Sequence, residues 1–356
     1  MIGSDDGLGA WAGRRVLVTG HTGFKGSWLA LMLAELGAEV TGLALVPEQL
    51  NGHYHRCRVD ERIEHHTIDI RDADAVAKLV DQVRPDVVLH LAAQSLVLRG
   101  FRDPVTTFDV NVVGTASVLA ACQVSRPAAV LVVTSDKVYA NDGSGRFFVE
   151  ADRLGGGDPY SSSKAATELV VESWRHSFGR TGGPAMATAR AGNVIGGGDQ
   201  AEGRLLPDAY RSLISGVPVP VRNPDAVRPW QFVLEPLSGY LRYADRLVAG
   251  AEVPNALNFG PDIADARPVR EVLDIVFELW GSGSWEATAH SCGPEAGILH
   301  LDASLARRAL GWRPRLDLRQ ALAWTTEWYR VAADGGDCRA LALQQIREYR
   351  CLEHSC

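Results

Sequence analysis

Arg14-Arg15-Val16-Leu17-Val18-Thr19-Gly20-His21-Thr22-Gly23-Phe24-Lys25-Gly26 is the stretch that decides the fold. An apolar run leads into three glycines spaced G-x-x-G-x-x-G and then into an apolar-periodic segment. A second run, Glu39-Val40-Thr41-Gly42-Leu43-Ala44-Leu45, closes the unit. Strand, glycine turn, helix and strand make a βαβ unit. At such a turn Gly20, Gly23 and Gly26 let backbone amides and the helix N-terminus approach a pyrophosphate with no side chain in the way. Thr22, Phe24 and Lys25 are interleaved with them and join the same candidate dinucleotide site. A glycine triplet alone is a weak signal; its place directly after the first strand gives it meaning.

Strand-like runs near 63–70, 86–92 and 129–135 alternate with helical patterns near 25–37, 72–84 and 104–124. That alternation predicts an α/β fold of the Rossmann type, a doubly wound parallel sheet with helices on both faces. Ligands in such sheets bind outside the carboxyl ends of the strands, where the glycine turn and Ser135 both fall. Residues 141–158 read as a loop over that edge. After about residue 185 the pattern loses regularity, with short strands and loops around 193–235 and a helix near 235–250. The expected division is a dinucleotide-binding domain over 14–190 with some later segments, and a smaller C-terminal substrate lobe over about 191–330. Residues 331–356 form a C-terminal extension whose Leu341-Ala-Leu-Gln-Gln-Ile346 pattern predicts a terminal helix.

Bulk properties narrow the classes. The 356 residues suffice for a sizeable core, and a net charge of -7 argues against a nucleic-acid partner. No run approaches the ~20 apolar residues that cross a bilayer, and the first dozen residues lack the basic start of a secretory signal. The cysteines at 57, 122, 292, 338, 351 and 356 lack metal-ligand spacing and read as free thiols in a reducing cytoplasm. His65-His66, on an alternating strand-like segment, is not expected to hold a metal.

Tyr160-Ser161-Ser162-Ser163-Lys164 puts a phenol and an ammonium four residues apart on one helix face. A free phenol ionises near pH ~10, and a neighbouring positive charge stabilises its phenolate. Tyr160 is therefore the candidate proton acceptor and Lys164 its companion. Ser135, at the end of the run Val133-Thr134-Ser135-Asp136-Lys137, is placed to hydrogen-bond the same substrate oxygen. Removing a hydroxyl proton makes chemical sense where a hydride leaves the same carbon, and the glycine turn houses its acceptor.

Together these segments resemble the extended, sugar-nucleotide-modifying branch of the short-chain dehydrogenase/reductase superfamily. His90-Leu91-Ala92-Ala93-Gln94 stands where that branch carries H-x-A-A. Asp69-Ile70 matches the acid placed near an adenine, and Asn111-Val-Val-Gly114-Thr115 resembles its N-x-x-G-T segment. The resemblance implies that Asp69, Ile70, Leu91, Ala92, Ala93 and Asn111 complete the cofactor site with Tyr160 and Lys164. The chain is more closely similar to CDP-glucose 4,6-dehydratases. That likeness rests on Gly20-His-Thr-Gly-Phe-Lys-Gly-Ser-Trp-Leu29, Thr134-Ser-Asp-Lys137, Gly157-Asp-Pro-Tyr160, Arg190-Ala-Gly-Asn-Val-Ile-Gly-Gly-Gly-Asp199 and Arg228-Pro-Trp-Gln-Phe-Val-Leu-Glu-Pro-Leu-Ser-Gly239. It runs from about residue 14 to about 330.

This likeness implies a nucleotide-sugar substrate, CDP-glucose above others, and a homodimer built on the helix that begins at Tyr160. Tyr160 would take the O4 proton while C4 gives up hydride, Asp136 would protonate the departing C6 hydroxyl, and Lys137 would help remove the C5 proton. Gln94, Asn193, Arg204, Leu205 and Arg228 would contact the substrate, the arginines as rigid bidentate donors to a diphosphate. Residues 42–45, Gly-Leu-Ala-Leu, offer neither an acid for a ribose hydroxyl nor an arginine pair for a 2′-phosphate; NAD follows from the resemblance and from a reaction that recycles its hydride. Three departures lie beside the sugar site: Ser95-Leu-Val-Leu-Arg99 shifts an arginine by one position, Val138-Tyr-Ala-Asn141 is altered, and residues 142–156 are shortened. Another enzyme of the branch, an epimerase, reductase or decarboxylase, and a non-catalytic dinucleotide sensor are the competing expectations.

Overall fold

The protein is described by a computed structural model covering residues 11–179, 182–262, 265–288 and 299–352. Its centre is a seven-stranded parallel sheet. The strands are β1 (Arg15–Thr19), β2 (Glu39–Ala44), β3 (Glu64–Thr67), β4 (Val87–His90), β5 (Ala129–Val133), β6 (Ala185–Ala191) and β7 (Ala256–Phe259), in the order β7-β6-β5-β4-β1-β2-β3. The chain winds outward from β1 to β3, then returns to the other side of β1 with β4. The strand order therefore reverses between β1 and β4, and the crevice for a ligand opens there.

Alternate side chains of the strands feed two separate cores. Val16, Val18, Val87, Leu89 and Leu131 face α1 (Phe24–Glu35) and later helices, packing with Trp28, Leu29 and Leu237. Leu17, Val88, Val130 and Val132 face α2 (Ala73–Val83), α3 (Gly114–Ser125) and α4 (Pro159–Phe178), packing with Leu79, Val118 and Val171. Strands buried on both faces need unbroken apolar runs, which is what the sequence carries.

By length and composition alone, the 22-residue helical run Pro104–Ser125, of mean hydropathy 1.4, would cross a bilayer. That departs from the expectation that no segment is long and apolar enough. In the fold its second half is a layer of the domain, with Thr115, Val118, Leu119 and Cys122 buried, and residues 109–113 take a π-helical turn.

The later chain is more helical than its sequence predicts. Helix α5 (Leu205–Ser215) occupies a stretch expected as short strands and loops; Leu206, Ala209, Tyr210 and Leu213 bury its inner face, and Gly216 ends it in a left-handed conformation. Residues 141–158 are more than a loop, because Phe147–Phe148 pairs with His300–Leu301 and Tyr139 bridges Leu154. Helix α6 (Leu234–Val248) lies where a helix is expected. Helix α7 (Leu318–Ala333) runs across residue 331, and α8 (Cys338–Cys351) is the terminal helix. Leu341, Gln345, Ile346 and Tyr349 of α8 are buried, and Arg347 pairs with Glu35 of α1. Cys57, Cys122 and Cys338 are buried free thiols and Cys351 is exposed, while Cys292 and Cys356 lie outside the described residues.

Candidate active site

A cleft of about 1240 Å³ opens along the carboxyl ends of the sheet. At one end the glycine turn forms its wall. Gly20 has φ of 78°, and a methyl there would lie 2.6 Å from the Ala92 amide nitrogen; Gly26 rests directly on the Gly20 carbonyl. The carboxyl ends of β1 and β4 are thus packed backbone on backbone, which only glycine permits. Thr19 ties them further: its hydroxyl accepts from the amides of Leu91 and Ala92 at 3.2 and 3.1 Å and meets His90 Nδ1 at 2.7 Å. The turn gives onto the N-terminus of α1, whose N-cap Gly23 brings no side chain to the first amides. This cradle suits a dinucleotide pyrophosphate. Gly20, Thr22, Gly23, Phe24, Lys25, Gly26, Asp69, Ile70, Leu91, Ala92 and Ala93 all line the cleft.

At its centre the cleft brings Ser135, Asp136, Lys137, Tyr160 and Lys164 together. The fold does this by ending β5 in a single 3₁₀ turn, Asp136–Val138, opposite the first turn of α4. Helix α4 starts where it does because Asp158 caps it, accepting from the Ser161 amide and hydroxyl, and Pro159 follows at its first position. Ser135 Oγ donates to Asp136 Oδ1 at 2.9 Å and accepts from the Lys137 amide at 3.2 Å. Burial pushes the Tyr160 phenol up to about 12, opposed by a hydrogen bond with Ser135. Lys164 Nζ donates to the Val133 carbonyl at 3.1 Å, and burial, then the neighbouring Lys25, lowers its ammonium to about 8. The companion lysine is thus anchored on the strand end.

The remaining predicted residues divide. Asn193, Arg204, Leu205 and Arg228 line the cleft. Asn193 holds a left-handed φ of 48°, and Arg204 pairs with buried Asp199 at 2.8 Å. Gln94 borders the cleft, but its amide is engaged by Thr107 and by the Leu96 amide. Asn111 departs from its expected place at the cofactor. It does not line the cleft; its side chain bonds both backbone groups of Gln94 and the Ser163 hydroxyl, locking the cleft wall to α4. Asp69 is held by Arg71, which also reaches Asp109. Arg99, the shifted arginine, pairs with Glu48 at the cleft mouth. His65 meets His21 at 2.7 Å, and among the described residues no group of three or more His, Cys, Asp or Glu side chains gathers as a metal site.

One residue expected at the site has a setting its sequence does not show, and one feature escapes sequence reasoning. Lys25 is turned into the cleft, its ammonium lowered to about 8 by burial and then by Arg204, with Asp136 opposing. Behind the catalytic turn, Arg190 and Glu168 form a bidentate pair at 3.0 and 2.8 Å, both buried. Thr134 and Thr188 donate to the same carboxylate, and Arg190 also reaches Tyr139. Arg190 stands inside a recognisable motif on β6, yet no local pattern announces a partner on helix α4.

The model of the NAD dependent epimerase/dehydratase family matches residues 16–260. The chain is 42% identical to CDP-glucose 4,6-dehydratase of Salmonella typhimurium over 95% of its own length and 97% of that protein's. Its fold is similar to that of the dTDP-glucose 4,6-dehydratase DesIV of Streptomyces venezuelae, solved with NAD bound, with a TM-score of 0.78 and 26% identity over 91% of this chain and 99% of that one. It is equally similar to UDP-glucose 4-epimerase of Thermus thermophilus, also solved with NAD, with a TM-score of 0.78 and 26% identity over 89% and 99% of the two chains.

Proposed function

The chain belongs to the NAD dependent epimerase/dehydratase family, and from that premise we propose that it is a nucleotide-sugar 4,6-dehydratase, a hydro-lyase acting on CDP-glucose. The observation that carries the reading is Asp136 beside Lys137, in one turn with Ser135 and in one cleft with Tyr160. An oxidation at C4 needs only a proton acceptor. An acid and a second base at the same mouth are what loss of water across C5 and C6 requires.

The glycine cradle would hold NAD, the cofactor of the family, which when bound would supply a reversible store for a hydride. Tyr160 is placed to accept the O4 proton. The 4-ketone that forms acidifies the C5 proton, which Lys137 helps remove, and Asp136 protonates the departing C6 hydroxyl. The product is a 4-keto-6-deoxy sugar, with no net redox change. Arg204 and Arg228 present fixed guanidinium donors for the diphosphate.

The working form is a cytoplasmic homodimer. Phe101, Val105, Phe108 and Leu169 stay exposed on α4 and the helices packed against it, the apolar surface a second copy would cover.

Incubation with CDP-, dTDP-, UDP- and GDP-glucose, with products followed by mass, tests the reading. Loss of one water from CDP-glucose is expected, and Tyr160→Phe should abolish it while NAD binding persists. A hexose returned isomeric but undehydrated would make the protein an epimerase.

A further inference from the structure

Asp136 borders two spaces. On one side it lines the cleft, and on the other it meets a small cavity of about 10 Å³ shared with Gly192, Gln231 and Phe259. That volume has room for about one water molecule. The carboxyl group is therefore not wedged from behind, and it has space to draw back from the cleft. Two contacts set its place. Ser135 Oγ donates to Asp136 Oδ1 at 2.9 Å, and Gly192 lies so close that a methyl group there would fall 2.1 Å from the carboxyl carbon. An acid that has to meet the C6 hydroxyl tolerates little displacement, since a shift of about 1 Å can cost about a hundredfold in rate.

Gly192 stands where the chain leaves the sheet. The ladder between β6 and β7 ends with the pair Ala191–Phe259, and Asn193 then turns with a left-handed φ of 48°. Past that pair, Gln231 takes over. Its amide nitrogen donates to the Gly192 carbonyl at 3.2 Å and to the Phe259 carbonyl at 3.0 Å. A side-chain amide has two hydrogens to give, and both go to these carbonyls. Carbonyl oxygens only accept, so the nitrogen has to be the atom that faces them. The backbone of Gln231 is fixed in turn: its amide donates to the Asn193 carbonyl at 3.3 Å, and Gln231–Phe232 pairs in parallel with Val194–Ile195. Gln231 is 3% exposed. It lines the small cavity and not the cleft, out of reach of a bound sugar.

We propose, resting on the dehydratase reading, that Gln231 is a positioning residue for the water-loss step: by clamping Gly192 to the end of β7 it holds Asp136 at the C6 hydroxyl. The clamp acts on one half of the chemistry. Tyr160 and Lys164 sit on α4, and Lys164 is anchored on the Val133 carbonyl of β5, so the groups that serve oxidation at C4 have supports of their own. Asp136 leans on Gly192, and Gly192 on Gln231. Without the clamp, Asp136 settles back toward the cavity, and oxidation at C4 runs ahead of elimination at C6.

Two substitutions separate clamping from the filling of space. Methionine matches glutamine in length and gives no hydrogen, so Gln231→Met removes the clamp alone. In Gln231→Glu a protonated carboxyl gives one hydrogen to a carbonyl, whereas the ionised form gives none and repels both. The NAD-loaded native enzyme and both variants are mixed with CDP-glucose between about pH 6 and about pH 9, a range that spans the raised titration of a buried carboxyl. Reduced nicotinamide, product and KM are followed, and NAD affinity is measured by calorimetry. The clamp predicts that Gln231→Met loses water about a hundredfold more slowly, with KM and NAD affinity near native. Reduced nicotinamide should build up in that variant, because hydride taken from C4 has no C6 to return to. Gln231→Glu should approach the native rate at the acid end and fall away from it as pH rises. Water loss at the native rate in Gln231→Met, oxidation and water loss slowed alike, or a Gln231→Glu profile parallel to the native one overturns the clamp. Native enzyme that neither reduces its NAD nor dehydrates CDP-glucose overturns the function itself.

Discussion

Gly192 lies flat against the carboxyl group of Asp136: a methyl group at 192 would fall inside contact distance of the Asp136 carboxyl carbon and both its oxygens. The position of the proposed acid therefore depends on a missing side chain one strand away, just past the end of β6. Gly192 does not hold a left-handed φ, so alanine is tolerated by the backbone and its effect is crowding alone. Gly192→Ala should push Asp136 from its place and lower the rate of water loss by about a hundredfold, the usual worth of one general acid. NAD affinity, measured by calorimetric titration, should stay within about threefold, because the glycine cradle is untouched.

The buried Arg190–Glu168 pair anchors the framework behind the catalytic turn. It joins β5, β6 and α4 through Thr134 and Thr188, and it steadies Tyr139 just beyond Asp136–Val138. Removing one partner strands a buried charge, so Arg190→Met should cost about 3–5 kcal/mol in urea unfolding. The double variant Arg190→Met/Glu168→Met should recover most of that loss. Equal destabilisation of the single and double variants would show that the pair is not a coupled unit.

A second buried acid makes stability depend on pH. Glu235 on α6 accepts from the amides of Arg315 and Leu316 at 3.0 and 2.9 Å and from the Tyr349 hydroxyl of α8 at 2.6 Å. Burial, opposed by those hydrogen bonds, raises its pKa from 4.5 to about 7. A carboxyl raised on folding stabilises the fold fully below pH 4.5, and that contribution is lost as pH rises through about 7. The difference is worth about 3 kcal/mol. Denaturation of Glu235→Gln against the native protein should show the variant gaining relative stability between pH 5 and 8. Parallel profiles would place the charged carboxylate elsewhere in the balance.

The first half of the fold is legible because its determinants are local. Apolar runs two faces deep mark the parallel strands, Gly20 and Gly26 mark a backbone-on-backbone turn, and Asp158-Pro159 marks the start of the catalytic helix. The site clusters because every strand of the sheet points the same way, so Ser135 and the glycine turn must share an edge. What escapes the sequence is non-local. Asn111 reads as a cofactor residue, yet its environment is set by Gln94 and Ser163, far apart in the chain. Helix α5 is hidden by Pro207 and its glycine-rich approach, although Pro207 sits in the first turn, where its missing N–H costs nothing. Tyr349 lies beyond the stretch that carries the resemblance, and its burial and its bond to Glu235 join α8 to the core.

The measurement that bears most directly on the dehydratase reading follows one hydrogen. CDP-glucose carrying deuterium at C4 is converted by the NAD-loaded enzyme, and the product is analysed by proton and deuterium NMR. The reading predicts a 4-keto-6-deoxy sugar with the deuterium on C6, carried there within one active site. Deuterium still on C4 of a hexose that has kept its C6 hydroxyl would contradict it.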